Sequence, residues 1–268
     1  MSQPLRDIRE WKYMNRIAKA FEGKKAFIAF ITGGDPDIET TENLIIAMAQ
    51  AGADIIEIGI PFSDPIAEGI VIQEADERAL ASGCTVDKLF DMVKKVRTKV
   101  DIPLLFMTYI NPIFAYGKTA FMERCADCGI DGIIVPDLPF EEKDELADVC
   151  SKYEICHVSM IAPTSRERIE MIAKNAEGFL YCVSSLGVTG VRSKINSDVA
   201  EMIKQAKTVT TIPCAVGFGI STPQQVQEMS AVSDGVIVGS AIVKLIAQFG
   251  RESVGPVKEF VGEMKAGI

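Results

Sequence analysis

The stretch AGADIIEIGI, residues 51–60, joins a glycine stop to a short apolar run broken by one acid. Gly52 suits the C-terminal cap of a helix, and the isoleucines that follow are too few for another helix but enough for a buried strand. The same grammar returns as CGIDGIIVPDL (128–138), NAEGFLYCVSS (175–185) and AVSDGVIVGS (231–240). A second version enters the strand through Ile-Pro, as in DIPLLFMTY (101–109) and TIPCAVGFG (211–219). Proline is tolerated there because the first strand residue need not donate to the ladder. With AFIAFITGG (26–34) and ICHVSMIAP (155–163), the chain offers eight candidate strands.

Between them lie amphipathic segments such as ETTENLIIAMAQ (39–50) and DKLFDMVKKVRTKV (87–100), apolar at helical spacing. Strands that are apolar on both faces and alternate with helices form a parallel sheet covered on both sides. Closure into a single (β/α)8 TIM barrel, one domain over residues 1–268, is the simplest solution. An open doubly wound sheet is the alternative, but its GxGxxG turn after the first strand is absent. Residues 8–21 read as an extra N-terminal amphipathic helix with Met14, Ile17, Ala18 and Phe21 on one face.

Composition narrows the function. A net charge of −9, with no run of Lys or Arg, argues against nucleic acid and anionic membranes as partners. The amino terminus has no apolar core of a secretory signal, and no segment reaches membrane-spanning length. Seven scattered cysteines suit a reducing cytoplasm better than a disulfide framework. Cys125 and Cys128 form a CxxC on a predicted helix, where ordinary packing outweighs a metal or redox role.

In a barrel, reactive groups belong at the carboxyl ends of strands. Alternation puts Ile55, Glu57 and Gly59 on one strand face and Ile56, Ile58 and Ile60 on the other. If the isoleucines pack on helices, Glu57 points into the barrel, where desolvation raises its pKa toward the range of a general acid–base group. A buried Glu satisfied by a Tyr hydroxyl is the competing reading. GVTG (187–190), GFGIS (217–221) and GSAIV (239–243) follow the sixth, seventh and eighth strands. Glycines there let backbone N–H groups approach an anion, and Ser240 suits either a phosphate contact or an N-cap; together they point to a phosphorylated ligand. The one histidine, His157, sits mid-strand as a core residue, so neither a Ser-His-Asp triad nor a two-histidine metal site is available. No lysine lies inside a predicted strand, which disfavours Schiff-base chemistry.

The ordered motifs FITGGDP, IEIGIPFSDPIAEG, MTYINPIF, IVPDLP, GVTGVRS, VGFGIS and DGVIVGSAIV closely resemble the tryptophan synthase α subunit family, over nearly the whole chain from about Met14. The resemblance implies retro-aldol cleavage of indole-3-glycerol phosphate into indole and glyceraldehyde 3-phosphate, with no metal and no cofactor in this chain. It implies Glu57 and Glu68 as catalytic acids, and Phe30 and Tyr181 lining the substrate pocket. Gly219, Gly239 and Ser240 match phosphate-binding positions, as does Gly190 in a lid whose Thr189 contacts the second acid. It also implies an α2β2 assembly with a β subunit carrying pyridoxal phosphate, with Asp64 in the loop that meets it; a plain turn or cap acid is the alternative for Asp64. The departure is Glu68, in AEGI where the family has Asp in ADGP, with Ile70 in place of Pro. The charge is kept while one methylene displaces it by roughly 1.5 Å. A free-standing lyase, or a weakly active chain that binds and activates a β subunit, shares the same motifs.

Overall fold

The computed structural model describes residues 14–183, 192–217 and 219–268. Helix α1 (Met14–Phe21) precedes β1 (Ala26–Thr32), α2 (Ile38–Gln50), β2 (Ile55–Gly59), α3 (Ile70–Ala81), α4 (Val86–Val96) and β3 (Leu104–Met107). Then come α5 (Ile110–Tyr116), α6 (Lys118–Cys128), β4 (Gly132–Ile134), α7 (Asp144–Tyr153), β5 (Cys156–His157), β6 (Ser159–Ile161) and α8 (Arg166–Lys174). The chain ends with β7 (Leu180–Val183), α9 (Arg192–Lys207), β8 (Cys214–Gly217), α10 (Pro223–Ser230), β9 (Gly235–Val238), α11 (Ser240–Phe249) and α12 (Val254–Lys265).

Every strand pairing is parallel, in the order β5-β4-β3-β2-β1-β9-β8-β7-β6. The fifth expected strand is split at Val158: β5 pairs with β4, and β6 pairs with β7. The barrel therefore closes through one interrupted strand. Val158 extends the pairing with β4, its N–H donating to Ile133 O at 3.0 Å.

Alternation sorts the side chains as expected. Ile56, Ile58 and Ile60 join Leu44, Met48, Leu89 and Phe106 in the layer between strands and helices. Ile28, Ile55, Leu105, Ile134, Val158, Ala215 and Ile237 fill the barrel interior. Helix α1 closes the amino end of the barrel, with Ile17, Ala20 and Phe21 against that inner cluster. Ala18, expected on the same face, is exposed; one residue beyond Ile17 turns about 100° away, and Ala20 at i+3 takes its place. Residues 8–13 of the expected helix lie outside the described residues.

A device not foreseen from the sequence fixes strand register at the amino end. Asp54, Asp131 and Asp234 each stand at the start of a strand and accept a hydrogen bond from the first residues of the neighbouring one: from Phe27 N at 2.7 Å, Leu104 N at 2.9 Å and Cys214 N at 2.8 Å. The buried pair are neutralised by cations. Asp54 meets Lys24 and Lys265 at 2.5 and 2.6 Å, and Asp131 meets Arg16 at 2.8 Å and Arg97. This is the acid that recurs after the helix stop in ADII, IDGI and SDGV.

His157, expected in the core, points outward, since its neighbours Cys156 and Val158 face the interior. It lines an outer cavity of about 550 Å³ between α7 and α8, where burial and then Lys143 lower its pKa to about 4. Cys125 and Cys128 are both buried in α6, as ordinary packing requires, and the described residues contain no group able to hold a metal ion.

Candidate active site

At the carboxyl end of the barrel a cavity of about 430 Å³ is lined by Phe30, Glu68, Met107, Tyr181, Gly219, Gly239 and Ser240. Six of the expected site residues thus line one cavity, although they come from five different regions of the chain. Thr189 and Gly190 lie outside the described residues.

Glu57 sits in β2 opposite Phe30 of β1 and Leu105 of β3. It is fully buried, and among the described residues neither carboxyl oxygen has a hydrogen-bond partner. The reading of Glu57 as an acid satisfied by a Tyr hydroxyl therefore fails. Tyr181 stands close enough for the Glu57 charge to raise its own pKa, but it does not bond the carboxyl. Burial alone pushes Glu57 up to about 8, so it carries a proton at neutral pH. An unpaired buried carboxyl is costly to keep charged, and nothing in the packing of β2 requires an acid there.

Two aromatic rings roof this group. A Cβ on Gly59 would lie 2.8 Å from Phe30 Cζ, and one on Gly217 would lie 2.7 Å from the Tyr181 hydroxyl. The glycines give the rings room to lie across the barrel, so the cavity floor is aromatic and flat. Such a floor suits a planar apolar ligand.

Beside Phe30 the same cavity carries anion-binding features. Gly219 has φ +71, a conformation that glycine adopts without strain. Gly239 is the N-cap of α11, and its carbonyl accepts from Ile242 and Val243. Ser240 is then the first helical residue rather than the cap, so its N–H and hydroxyl stand at the positive end of the helix, on the cavity. A phosphate on one side and a planar ring on the other fit the same cavity.

Glu68 lies at the mouth, directly before α3, whose N-cap is Gly69. The Gln73 side chain donates to Glu68 O at 2.7 Å, and Ala67 N donates to the Tyr109 hydroxyl at 3.0 Å. Both contacts fix the loop. Helix α3 is itself clamped to the loop after β1 by a two-pronged Arg78–Asp35 pair, at 2.8 and 2.7 Å, with Asp35 buried. Asp64 is exposed, outside the cavity, and its loop also exposes Ile66 (81%), with Ile70 (65%) opening α3.

Sequence reading missed one acid here. Asp76 falls in the buried stripe of α3 with Ile72, Ala75 and Ala79, where an apolar residue is the norm. Its place in that stripe is the signal that could have found it.

A family model described as Tryptophan synthase alpha chain matches residues 17–268. The chain belongs to that family. Its relatives include the tryptophan synthase alpha chain of Caldanaerobacter subterraneus subsp. tengcongensis, 49% identical over 255 residues, which span 92% of this chain and 97% of the relative. Among solved structures of the family, tryptophan synthase subunit alpha from Legionella pneumophila superposes with a TM-score of 0.86 at 36% identity, covering 94% of this chain and 98% of that one. A chain of the tryptophan synthase a2b2 complex from Pyrococcus furiosus gives 0.84 at 38% identity, covering 91% and 99%.

Proposed function

We propose that this chain cleaves indole-3-glycerol phosphate to indole and glyceraldehyde 3-phosphate, as the α subunit of a tryptophan synthase. The observation that carries the reading is Glu57: an unpaired, fully buried acid held in its protonated form beneath a cavity with an aromatic floor and a phosphate-type helix terminus.

The chemistry follows from that protonation state. Glu57 donates its proton to the ring carbon that bears the glycerol chain, which makes the ring an electron sink. The Glu68 carboxylate faces the ring N–H and stabilises the positive charge that develops there. The Glu57 carboxylate then takes the proton of the adjacent hydroxyl. The C–C bond breaks as the aldehyde forms; its pair rebuilds the ring C=C bond and the iminium π pair returns to the ring nitrogen, restoring indole. One proton has moved from oxygen to carbon, and Glu57 ends as it began. Phe30 and Tyr181 hold the ring, Gly219, Gly239 and Ser240 hold the phosphate, and Thr189 and Gly190 belong to the segment that closes over it.

The chain works as one domain over residues 1–268 with a β subunit in an α2β2 assembly. The β partner holds pyridoxal phosphate, and the lyase step needs neither cofactor nor metal in this chain. The exposed Ile66 and Ile70 beside Asp64 support docking through this loop, because large apolar groups so exposed are covered by a partner more often than left in water. Among the described residues no helix is long and apolar enough to cross a membrane, and we assign the pair to the cytoplasm.

The test is the rate of indole formation by the purified chain, with and without its β subunit. A slow rate that rises with the partner supports the assignment. Loss of turnover in Glu57→Gln, with the fold retained, supports the role of Glu57, and full activity in that variant would refute it.

A further inference from the structure

Glu68 is not alone at the cavity mouth. Its carboxyl lies within hydrogen-bonding reach of Asp76, which projects from α3 two turns further on. Asp76 is the deeper of the two, 3% exposed, while Glu68 is half-buried and borders the cavity. Among the described residues neither is neutralised by a cation: Arg78, on the same helix, is committed to Asp35 on the far side. Among them, too, Glu68 Oε2 is buried with no donor, and Asp76 Oδ2 receives a single long hydrogen bond, 3.3 Å, from Phe62 N. Two carboxyls this close, in a site this dry, cannot both be charged, and a proton between them supplies the donor that the geometry lacks.

We propose that Asp76 is a positioning residue for the lyase: it and Glu68 hold one proton between them, and the protonated Asp76 donates it to Glu68, which meets the substrate as an oriented carboxylate. This rests on the reading of Glu68 as the acid facing the ring N–H. The deeper member keeps the proton because its charge would be the harder to solvate. Burial and then the Glu68 charge push Asp76 up to about 8; burial raises Glu68 too, and its contact with Asp76 opposes that rise. The longer Glu68 side chain reaches forward from the loop to Asp76 on α3, so its added methylene is taken up in the pair.

The surroundings leave the proton with this pair. From β1 the nearest polar group is Thr32, whose buried hydroxyl lies beside Asp76 without a completed hydrogen bond. From the loop after β3 comes Tyr109, raised to about 12 by burial and then by the charges of Glu68, Asp76 and Asp137. From the turn after α3 comes the Cys84 thiol, raised to about 11 by burial against the lowering effect of Lys88. Lys244, on the neighbouring α11, is exposed.

The experiment compares wild type with Asp76→Ala and Asp76→Asn by steady-state indole formation and by ¹³C NMR of the Glu68 carboxyl across pH. Asp76→Ala is expected to lower kcat about 10-fold with KM little changed, a loss of the size that sub-ångström misplacement produces, and Asp76→Asn, which still donates, to recover most of it. The Glu68 carboxyl should shift its titration in Asp76→Asn, because a neutral neighbour can no longer exchange a proton with it. Wild-type kcat in a folded Asp76→Ala enzyme, or an unmoved Glu68 titration in Asp76→Asn, would overturn the pair. Where Asp76→Ala does not fold, the isosteric Asp76→Asn titration decides alone. A wild-type chain without lyase turnover whose Glu68 titration still moves in Asp76→Asn would defeat the lyase reading while leaving the shared proton intact.

Discussion

Replacing Glu57 with Gln should stabilise the protein, and by an amount that grows with pH. Folding takes this carboxyl from its ordinary value of 4.5 to about 8, through burial with no compensating partner. The sign follows from proton counting. Between those values the folded chain binds the proton and the unfolded chain has released it, so stability falls as pH rises through that window. At about 1.36 kcal/mol per pH unit, the loss between pH ~5 and pH ~7 comes to roughly 2–3 kcal/mol, and it levels off near pH ~8. Gln copies the protonated shape and cannot ionise, so the variant escapes the penalty. For a chain of this size each kcal/mol moves Tm by about 2–4 °C. Thermal melts of both proteins at pH ~5, ~6, ~7 and ~8 should therefore diverge by roughly 5–10 °C over that range, the variant always higher. A difference in Tm that stays constant with pH would show that Glu57 is ionised or paired in the folded state, and the argument for its role as the starting acid would go with it.

Further outcomes follow from the same geometry. Lyase turnover in the wild type should fall above pH ~8, as Glu57 loses the proton it must donate, and a pH–rate profile checks this. Glu68→Asp keeps the charge but shortens the reach to Asp76, and should lower kcat about 10-fold, as Asp76→Ala does; an unchanged kcat would show that the pair does not depend on the longer side chain. Gly239→Ala places a Cβ 3.2 Å from Phe30 Cδ1 at the phosphate end, and should raise KM several-fold in steady-state kinetics. Asp131→Ala strands Arg97, itself largely buried, and the Leu104 N–H, and should cost about 3–5 kcal/mol in urea unfolding. Ile66→Asp puts a charge on the exposed loop tip and should weaken stimulation by the β subunit in a mixing titration.

The barrel was legible because its strands are punctuated: glycine stop, short isoleucine- or valine-rich run, and a period of two that places Glu57 inside and Ile56 and Ile58 outside. The break at Val158 was not, since ICHVSMIAP reads as one apolar run and the interruption reflects how the last strand closes the circle. Ala18 was assigned to the wrong side because a helix this short offers few positions to set the phase. Glycine placement marked the loops GFGIS and GSAIV, whereas Gly219, Gly239 and Ser240 were singled out within them by the family resemblance. The role of Asp54, Asp131 and Asp234 in holding register could not, because an acid after a helix stop looks like ordinary turn chemistry until the neighbouring strand is placed beside it. Asp76 was hidden for a different reason: a helix pattern marks it only as an acid in an apolar stripe, and its partner lies before the helix begins.

The raised acids of this site differ in cause, and that difference has consequences. Glu57 is shifted by burial alone, with no contribution from Glu68 or Asp76, whereas Asp76 is shifted by burial together with the charge of Glu68. The proton that moves in the reaction and the proton that orients the second carboxyl are therefore held independently. Neutralising Glu57 should leave the titration of the pair in place, and Asp76→Asn should leave the pH dependence of Glu57-linked stability in place, so the stability effects of the two changes should add to within about 0.5 kcal/mol. Such independence lets Glu57 change its charge during turnover while Glu68 stays ionised opposite the ring. A single shared network would release the second carboxylate at the moment its charge is needed.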